Sequence, residues 1–350
     1  MASTTHRRGT GWTTRVPAVI VMLIGVVLIG TTVVNNLFAV GPAFENLTDD
    51  FRPALTAQAI ETARTDVATL GAAGDEFQTA VAPAMAEQLG MTPEEFQAFV
   101  GEQFPGVGDG MAALPQIVPT FTGLIDTLDA QRDLFASADA IPTSSLPATT
   151  IPWALLIAGI LSLGLGVFMW FVPRAGGIVA IVMGAMLVIV PVALSLPTKA
   201  ADADQMNANL QPVYTAEMIG QAGVALKTVS AMGTEMSGTM LPALADQLGM
   251  TEAELQAFLG ENFPATAGAL QNMPASMERF QGLVGAFEAN LDNYDTMKSV
   301  SFAPIIWTVI VGGAVMFFMG IWAFVMGRRP EVTVIDEAKL APETVGAGAR

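Results

Sequence analysis

The chain has 350 residues, of which 52% are hydrophobic and 13% charged, and it carries a net charge of −17 with no cysteine. Its mean hydropathy of +0.52 excludes an ordinary soluble globular chain. The acid excess argues against nucleic acid and anionic lipid headgroups as partners, and without cysteine no disulfide can brace an outer segment.

Four uncharged stretches approach the roughly 20 residues that cross a hydrocarbon core of about 30 Å. In chain order the prediction is a cytoplasmic tail over 1–16, a first span over 17–38, a helical domain over 39–150 and a second span over 151–172. A turn over 173–175, a third span over 176–197, a second helical domain over 198–303, a fourth span over 304–326 and a tail over 327–350 complete the chain. Arg7, Arg8 and Arg15 precede the first stretch as they would in a signal peptide. That stretch is longer than a usual signal core, and no small-x-small cleavage pattern follows it. It is therefore read as a retained span.

Residues 83–105 and 242–264 match at 16 of 23 positions without a gap, at an offset of 159. The same offset pairs Arg15 with Arg174, Gly25 with Gly184, Pro53 with Pro212 and Phe121 with Phe280. The chain thus reads as a tandem duplication. Each copy holds two spans, so both copies enter the membrane in the same direction, with a pseudo-two-fold axis along the membrane normal. The expected fold class is an all-α integral membrane protein with four transmembrane helices and two extracytoplasmic helical-bundle domains.

Charge sets the expected orientation. The tails and the turn at Arg174 hold 8 of the 15 basic residues and 4 of the 32 acidic ones, while the two long loops hold 7 basic and 28 acidic. Both termini are accordingly placed in the cytoplasm and both loops outside. Trp153 and Trp307 open the second and fourth spans, and Trp170 and Trp322 lie near their far ends, as interfacial belts require. The alanine-rich, cysteine-free composition suggests a bacterial plasma membrane.

Within the loops, Ile60, Ala63, Val67 and Leu70 follow the spacing of one buried helical stripe, repeated by Ile219, Ala222, Leu226 and Val229. A later helix carries Phe121, Leu124, Leu128 and Phe135, mirrored by Phe280, Leu283, Phe287 and Tyr294. Between the two long helices a short hairpin is predicted. Its first helix ends at Gly90 or Gly249, and its second starts in a capping box at Thr92/Glu95 or Thr251/Glu254 and stops at Pro105 or Pro264. Helix stop, helix start, an apolar face of Phe96, Phe99 and Val100 and a terminating proline account for most of this motif. The residues left over, Gln97, Glu102, Gln256 and Glu261, form a candidate docking or ligand surface.

Other chemistry is sparse. His6 is the single histidine and falls in the cytoplasmic tail, which leaves no histidine base or histidine metal ligand for the loops. Asp49 with Asp50, and Asp202 with Asp204, could bind a hard cation, but they read as solvated charges in polar linkers. Met232, Met236 and Met240 could offer thioethers to Cu(I). Their counterparts are Ala73, Phe77 and Val81, which favours core packing. Asn46-Leu47-Thr48 is a sequon that matters only in a secretory pathway. No catalytic, cofactor or metal site is assigned.

The four spans contain no ionisable side chain, which disfavours ion-coupled transport. Gly176, Ala180 and Gly184 form a small-xxx-small ladder suited to close helix packing, while Gly159, Ser162, Gly164 and Gly166 supply small residues to the neighbouring helix. Pro191 is expected to kink the third span.

The resulting expectation is a non-enzymatic multi-pass protein acting as a scaffold or accessory subunit, partnered by the bilayer and by a membrane or envelope protein. The alternative is ligand sensing or lipid handling by the loops. The order of span, helical loop and span resembles that of bacterial chemoreceptor sensory domains, a likeness in layout alone. A passive channel would call for water-lined polar faces that the spans mostly lack.

Overall fold

The computed structural model describes residues 15–143 and 145–326. The expected tails, with His6 and most of the basic residues used for orientation, lie outside the described residues. Among the described residues the fold is helical, and its one β feature is an isolated bridge between Thr143 and Leu146. Four helices are long and apolar enough to cross a membrane: α1 (Val16–Val34), and, further along the chain, Thr150–Phe171, Pro173–Ala193 and Phe302–Met326.

Between the first two of these run α2 (Leu37–Phe51), α3 (Ala57–Glu76), α4 (Ala82–Leu89), α5 (Pro93–Gln103) and α6 (Pro105–Asp139). The apolar helices Thr150–Phe171 and Pro173–Ala193 are α7 and α8. Then follow α9 (Leu196–Leu210), α10 (Ala216–Glu235), α11 (Leu241–Leu248), α12 (Glu252–Asn262), α13 (Pro264–Ala289), α14 (Leu291–Met297) and finally α15, the apolar Phe302–Met326. A π-helical turn joins α3 to α4 at Phe77–Val81 and α10 to α11 at Met236–Met240.

The first and third apolar helices end a few residues before the expected ends of their spans. The helix breaks at Asn36 (φ 48°) and Ser195 (φ 56°), which take the left-handed conformation and precede α2 and α9 as their N-caps. Asparagine tolerates that region through its short polar side chain, whereas serine enters it at a cost of about 1–2 kcal/mol. A hydropathy window does not register such a break, because the flanking residues are equally apolar. Pro191 falls in the last turn of α8, two residues from its end.

The predicted hairpin is present twice. Gly90 (φ 70°) and Gly249 (φ 64°) close α4 and α11 in the left-handed conformation, where an L side chain is disfavoured. Thr92/Glu95 and Thr251/Glu254 form complete capping boxes, and the Thr251 backbone and hydroxyl bonds hold the Glu254 carboxyl below its ordinary value. Pro105 and Pro264 terminate α5 and α12 by serving as the first residue of the next helix, a position where proline's missing N–H costs nothing.

The chain divides into two compact units. One comprises the described residues within 1–27, 158–188 and 311–350. There, Gly25 of α1 lies so close to α7 that an added Cβ would come within 2.7 Å of the Gly159 carbonyl oxygen and 2.8 Å of the Leu163 nitrogen. Gly184 of α8 meets α15 in the same way, 2.6 Å from the Gly313 oxygen. One heptad along, Gly166 faces Ala18 and Met22, and Gly320 faces Gly177 and Ile181. Small residues seven apart repeat after two turns of an under-wound helix, the spacing of left-handed helix pairs. A core of Ala18, Val21, Leu165, Met169, Ala180, Met316 and Ala323 completes this unit.

Of the four-residue ladder, Gly184 faces α15, Gly176 faces Met169 of α7, and Ala180 is fully buried in the common core. Gly177, seven residues before Gly184, adds a second close approach to α15.

The second unit, residues 28–157 and 189–310, holds both long loops. They were expected to form two bundles, but their helices interleave into one. α3 packs on α6 and α13, and α10 packs on α6 and α13, closing a four-helix ring. Phe121 and Phe280 meet edge to face inside it, 5.2 Å between centroids. Expecting two bundles follows from hydrophobic stripes alone, since a stripe specifies that a face is buried and not which helix buries it.

Polar ties fasten the two loops across this ring. The Thr266 N–H donates to Glu76 Oε2 at 2.6 Å, and the Val107 N–H donates to Glu235 Oε2 at 2.9 Å. Each carboxylate thus caps the first turn of a long helix in the other loop, where free N–H groups and the helix dipole favour negative charge. The Asn290 amide donates to Asp50 and that of Asn209 to Gln131, while Arg279 grips Asp66 with two bonds of 2.8 Å.

The aspartates expected in solvated linkers therefore stand on helices and bind protein groups. Asp50 takes the buried Asn290 amide, Asp202 accepts the Ser137 hydroxyl, and Asp204 caps α15 through the Phe302 and Ala303 N–H groups. Met232, Met236 and Met240 are buried, with Met232 seated against Gly110 of α6, as a packing role requires.

The two tyrosines of the chain stack on each other, Tyr214 on Tyr294 at 4.3 Å. Their hydroxyls donate to the Phe287 and Asn207 carbonyls. Burial pushes the Tyr294 hydroxyl up to about 12, and burial together with Tyr294 and Asp50 raises Tyr214 further. A phenol raised in the fold stabilises it below pH ~10, the unfolded value, and that contribution is lost as pH climbs through the folded value. Absorbance at 295 nm is expected to show no tyrosinate near pH 10 and a late rise coincident with loss of ellipticity. Ordinary titration centred near pH 10 with the fold intact would contradict the packing of this pair.

Candidate functional site

The four residues singled out on the hairpins are all exposed. Gln97 and Glu102 lie on α5, and Gln256 and Glu261 on α12. None makes a side-chain hydrogen bond or ion pair with another described residue. Beneath them the apolar face packs as expected: Phe96 and Val100 are buried, Phe99 is half-buried against Phe96 and Phe104, and Leu255 and Leu259 are buried in the second hairpin. The hairpins adjoin through α4 and α11. The two hairpins thus touch through their first helices, while the four exposed residues stand on their second helices, α5 and α12.

Two further features were missed by reading the repeats for what they share. The first is a cavity of about 90 Å³ between α3 and α13, walled by Val67, Leu70, Val118, Phe121, Met273 and Phe280, with Thr65, Thr69 and Asn272 as its polar edge. Ala269 in its wall occupies the position that Gly110 holds in the first loop. Gly110 is filled by Met232, whereas the counterpart of Met232 is the much smaller Ala73.

The second is an open groove of about 800 Å³ between α10 and α13, bounded by Gly106 at the start of α6. Leu226, Ala231 and Val284 form its apolar part, and Lys227, Ser230, Thr234, Gln281 and Glu288 its polar part. Glu235 lines it while capping Val107. The volume lies within the range of small-molecule sites, and a mostly apolar wall with a few polar groups is their usual character.

At the matching place on α3 and α6 the surface is closed by charge. Arg64 bonds to Asp126 at 3.1 Å and to Asp129 at 3.2 Å, with Glu61 also at 3.2 Å. The Asp126, Asp129 and Glu61 bonds raise the guanidinium above its ordinary value. With the offset of 159, Arg64, Asp126 and Asp129 correspond to Gly223, Gly285 and Glu288. The difference is visible in the sequence once unmatched positions are compared as carefully as matched ones.

No titratable cluster of metal-ligating character occurs among the described residues. The chain matches no family model, no curated protein and no solved structure.

Proposed function

We propose that this chain is a non-enzymatic, multi-pass membrane protein, formed by tandem duplication, that acts as a scaffold or accessory subunit for another membrane or envelope protein. In this reading the membrane is a bacterial plasma membrane, both tails lie in the cytoplasm, and the unit containing α2–α6 and α9–α14 lies outside. The observation that carries it is the pair of adjoining hairpins. The best-matched part of the duplication displays Gln97, Glu102, Gln256 and Glu261, whose side chains bond to no other described residue. Cross-capping by Glu76 and Glu235 supports it by making the two loops one body, which suits presentation of a fixed surface to a partner.

A second reading, small-molecule binding by the outer unit, draws on the α10/α13 groove. A channel is less well supported. Apart from Arg174 at the start of α8, the four apolar helices have no ionisable side chain, and the cavity walled by Phe44, Ile151, Phe302 and Ile305 is apolar.

Extraction into lipid nanodiscs followed by mass spectrometry tests the scaffold reading. A stoichiometric protein should co-purify with the wild type and be lost from a variant carrying Gln97→Ala, Glu102→Ala, Gln256→Ala and Glu261→Ala. Retention of that protein by a correctly folded quadruple variant would remove the hairpin surface from consideration.

A further inference from the structure

We propose that the α10/α13 groove binds a small zwitterionic molecule, seating a guanidinium or alkylammonium group at Glu288 and a carboxylate at Lys227. The inference rests on the second reading above and adds the ligand's chemistry.

The first loop supplies the template. On α3 and α6 a guanidinium, that of Arg64, lies across Asp126 and Asp129 and fills the surface between the helices. On α10 and α13 the carboxylate is retained as Glu288, but the cation is replaced by Gly223 and the second acid by Gly285. The Glu288 Oε1 atom lies 3.5 Å from the point where a Cβ on Gly223 would stand, so the acid points over the site from which an arginine would grow. Around Gly285 an added Cβ would meet nothing within 4 Å. Two glycines in mid-helix each sacrifice about 1 kcal/mol of helix propensity relative to alanine. Here they leave open the space that their counterparts occupy.

Lys227 adds the second half of the recognition. It stands one turn after Gly223 in the groove wall, replaces Ala68 of the first loop, and forms no ion pair with a described residue. A cation alone would be repelled by it. A molecule carrying both charges would satisfy Glu288 and Lys227 together, with Leu226, Ala231 and Val284 accepting an aliphatic stem. Charge-assisted bonds of this type set orientation and specificity more than raw affinity.

The test uses the full chain in nanodiscs, titrated calorimetrically with L-arginine, L-lysine, agmatine and glutarate. Saturable binding of at least one amino acid is expected, with agmatine weaker and glutarate inert. Glu288→Gln should weaken binding about tenfold, and Lys227→Ala should weaken the amino acid while leaving agmatine unchanged or tighter. Gly223→Arg should rebuild the closed arrangement of the first loop and abolish binding, with an unfolding midpoint at or above wild type.

Absence of saturable binding up to about 10 mM, a dissociation constant near the weakest specific range, would overturn the proposal. Binding that survives both Glu288→Gln and Gly223→Arg would also overturn it. Extracting small molecules from the purified protein separates the two levels. A co-purifying compound without a cationic group, lost in Gly223→Arg, would refute the ligand class while preserving the groove as a site. Failure of every probe with no compound lost in that variant would end both.

Discussion

Gly25→Leu and Gly184→Leu are each expected to destabilise the helix pairs of the unit built from the four apolar helices by about 3 kcal/mol, the upper end of the range for overpacking. The nearest atoms that a Cβ would strike are backbone atoms: the Gly159 oxygen and Leu163 nitrogen for Gly25, and the Gly313 oxygen and Phe317 nitrogen for Gly184. A side chain in that position cannot be accommodated by rotating a neighbour, so the helices must separate along their contact. The close approach of α1 to α7 and of α8 to α15 depends on it. If the helices lie in lipid, as proposed, no hydrophobic effect acts between them and that packing is a main source of their association. Gly30→Leu and Gly164→Leu serve as controls, because an added Cβ at either position meets nothing within 4 Å. Titration with SDS, followed by helicity, should place the first two variants well below wild type and leave the controls within about 0.5 kcal/mol. Equal midpoints for Gly25→Leu and Gly164→Leu would refute the packing described for α1 and α7.

The second large effect is expected at the crossed caps. Glu76→Ala removes the acceptor of the Thr266 N–H and Glu235→Ala that of the Val107 N–H. Hydrogen bonds to charged groups contribute about 1.5–3 kcal/mol, and each loss strands an amide in the first turn of α13 or α6. For a unit of this size a loss of 1 kcal/mol lowers the midpoint by about 2–4 °C. Each variant should therefore melt roughly 5 °C lower, and the double variant should combine the two losses nearly additively if the sites share no partner. Glu76→Gln should recover part of the loss, since an amide oxygen still accepts a bond without supplying charge to the helix dipole. Differential scanning calorimetry distinguishes these outcomes. Wild-type melting of Glu76→Ala would mean that the two loops do not depend on their mutual caps.

The same residues explain how far sequence reading reached. Gly90 and Gly249 end helices because left-handed backbone favours glycine, and Thr92 and Thr251 start them because their side chains lie three residues from the amides they cap. Those are interactions within one turn of chain, so composition and spacing reveal them. Hydropathy located the four apolar helices for a similar reason, as length and polarity are properties of contiguous residues. The candidate surface of Gln97, Glu102, Gln256 and Glu261 was legible by subtraction, once the residues needed for capping and packing had been assigned. Asn36 and Ser195 were not read as breaks, because nothing in their immediate neighbours distinguishes a left-handed residue from one more residue of span.

The sequence by itself thus determined the long loop helices, the capped hairpins, the four apolar stretches and the internal repeat, all of which depend on residues a few positions apart or on direct comparison of one stretch with another. Tertiary structure alone decided that α3 lies against α13 and α10 against α6, that Glu76 and Glu235 cap helices 190 and 128 residues away in sequence, and that an open groove exists where Arg64 has no counterpart. Two amphipathic helices of similar stripe can pair in either combination at nearly equal hydrophobic gain. The choice between them depends on which crossing buries Phe121 against Phe280 and satisfies both carboxylates, a condition set jointly by residues from both loops.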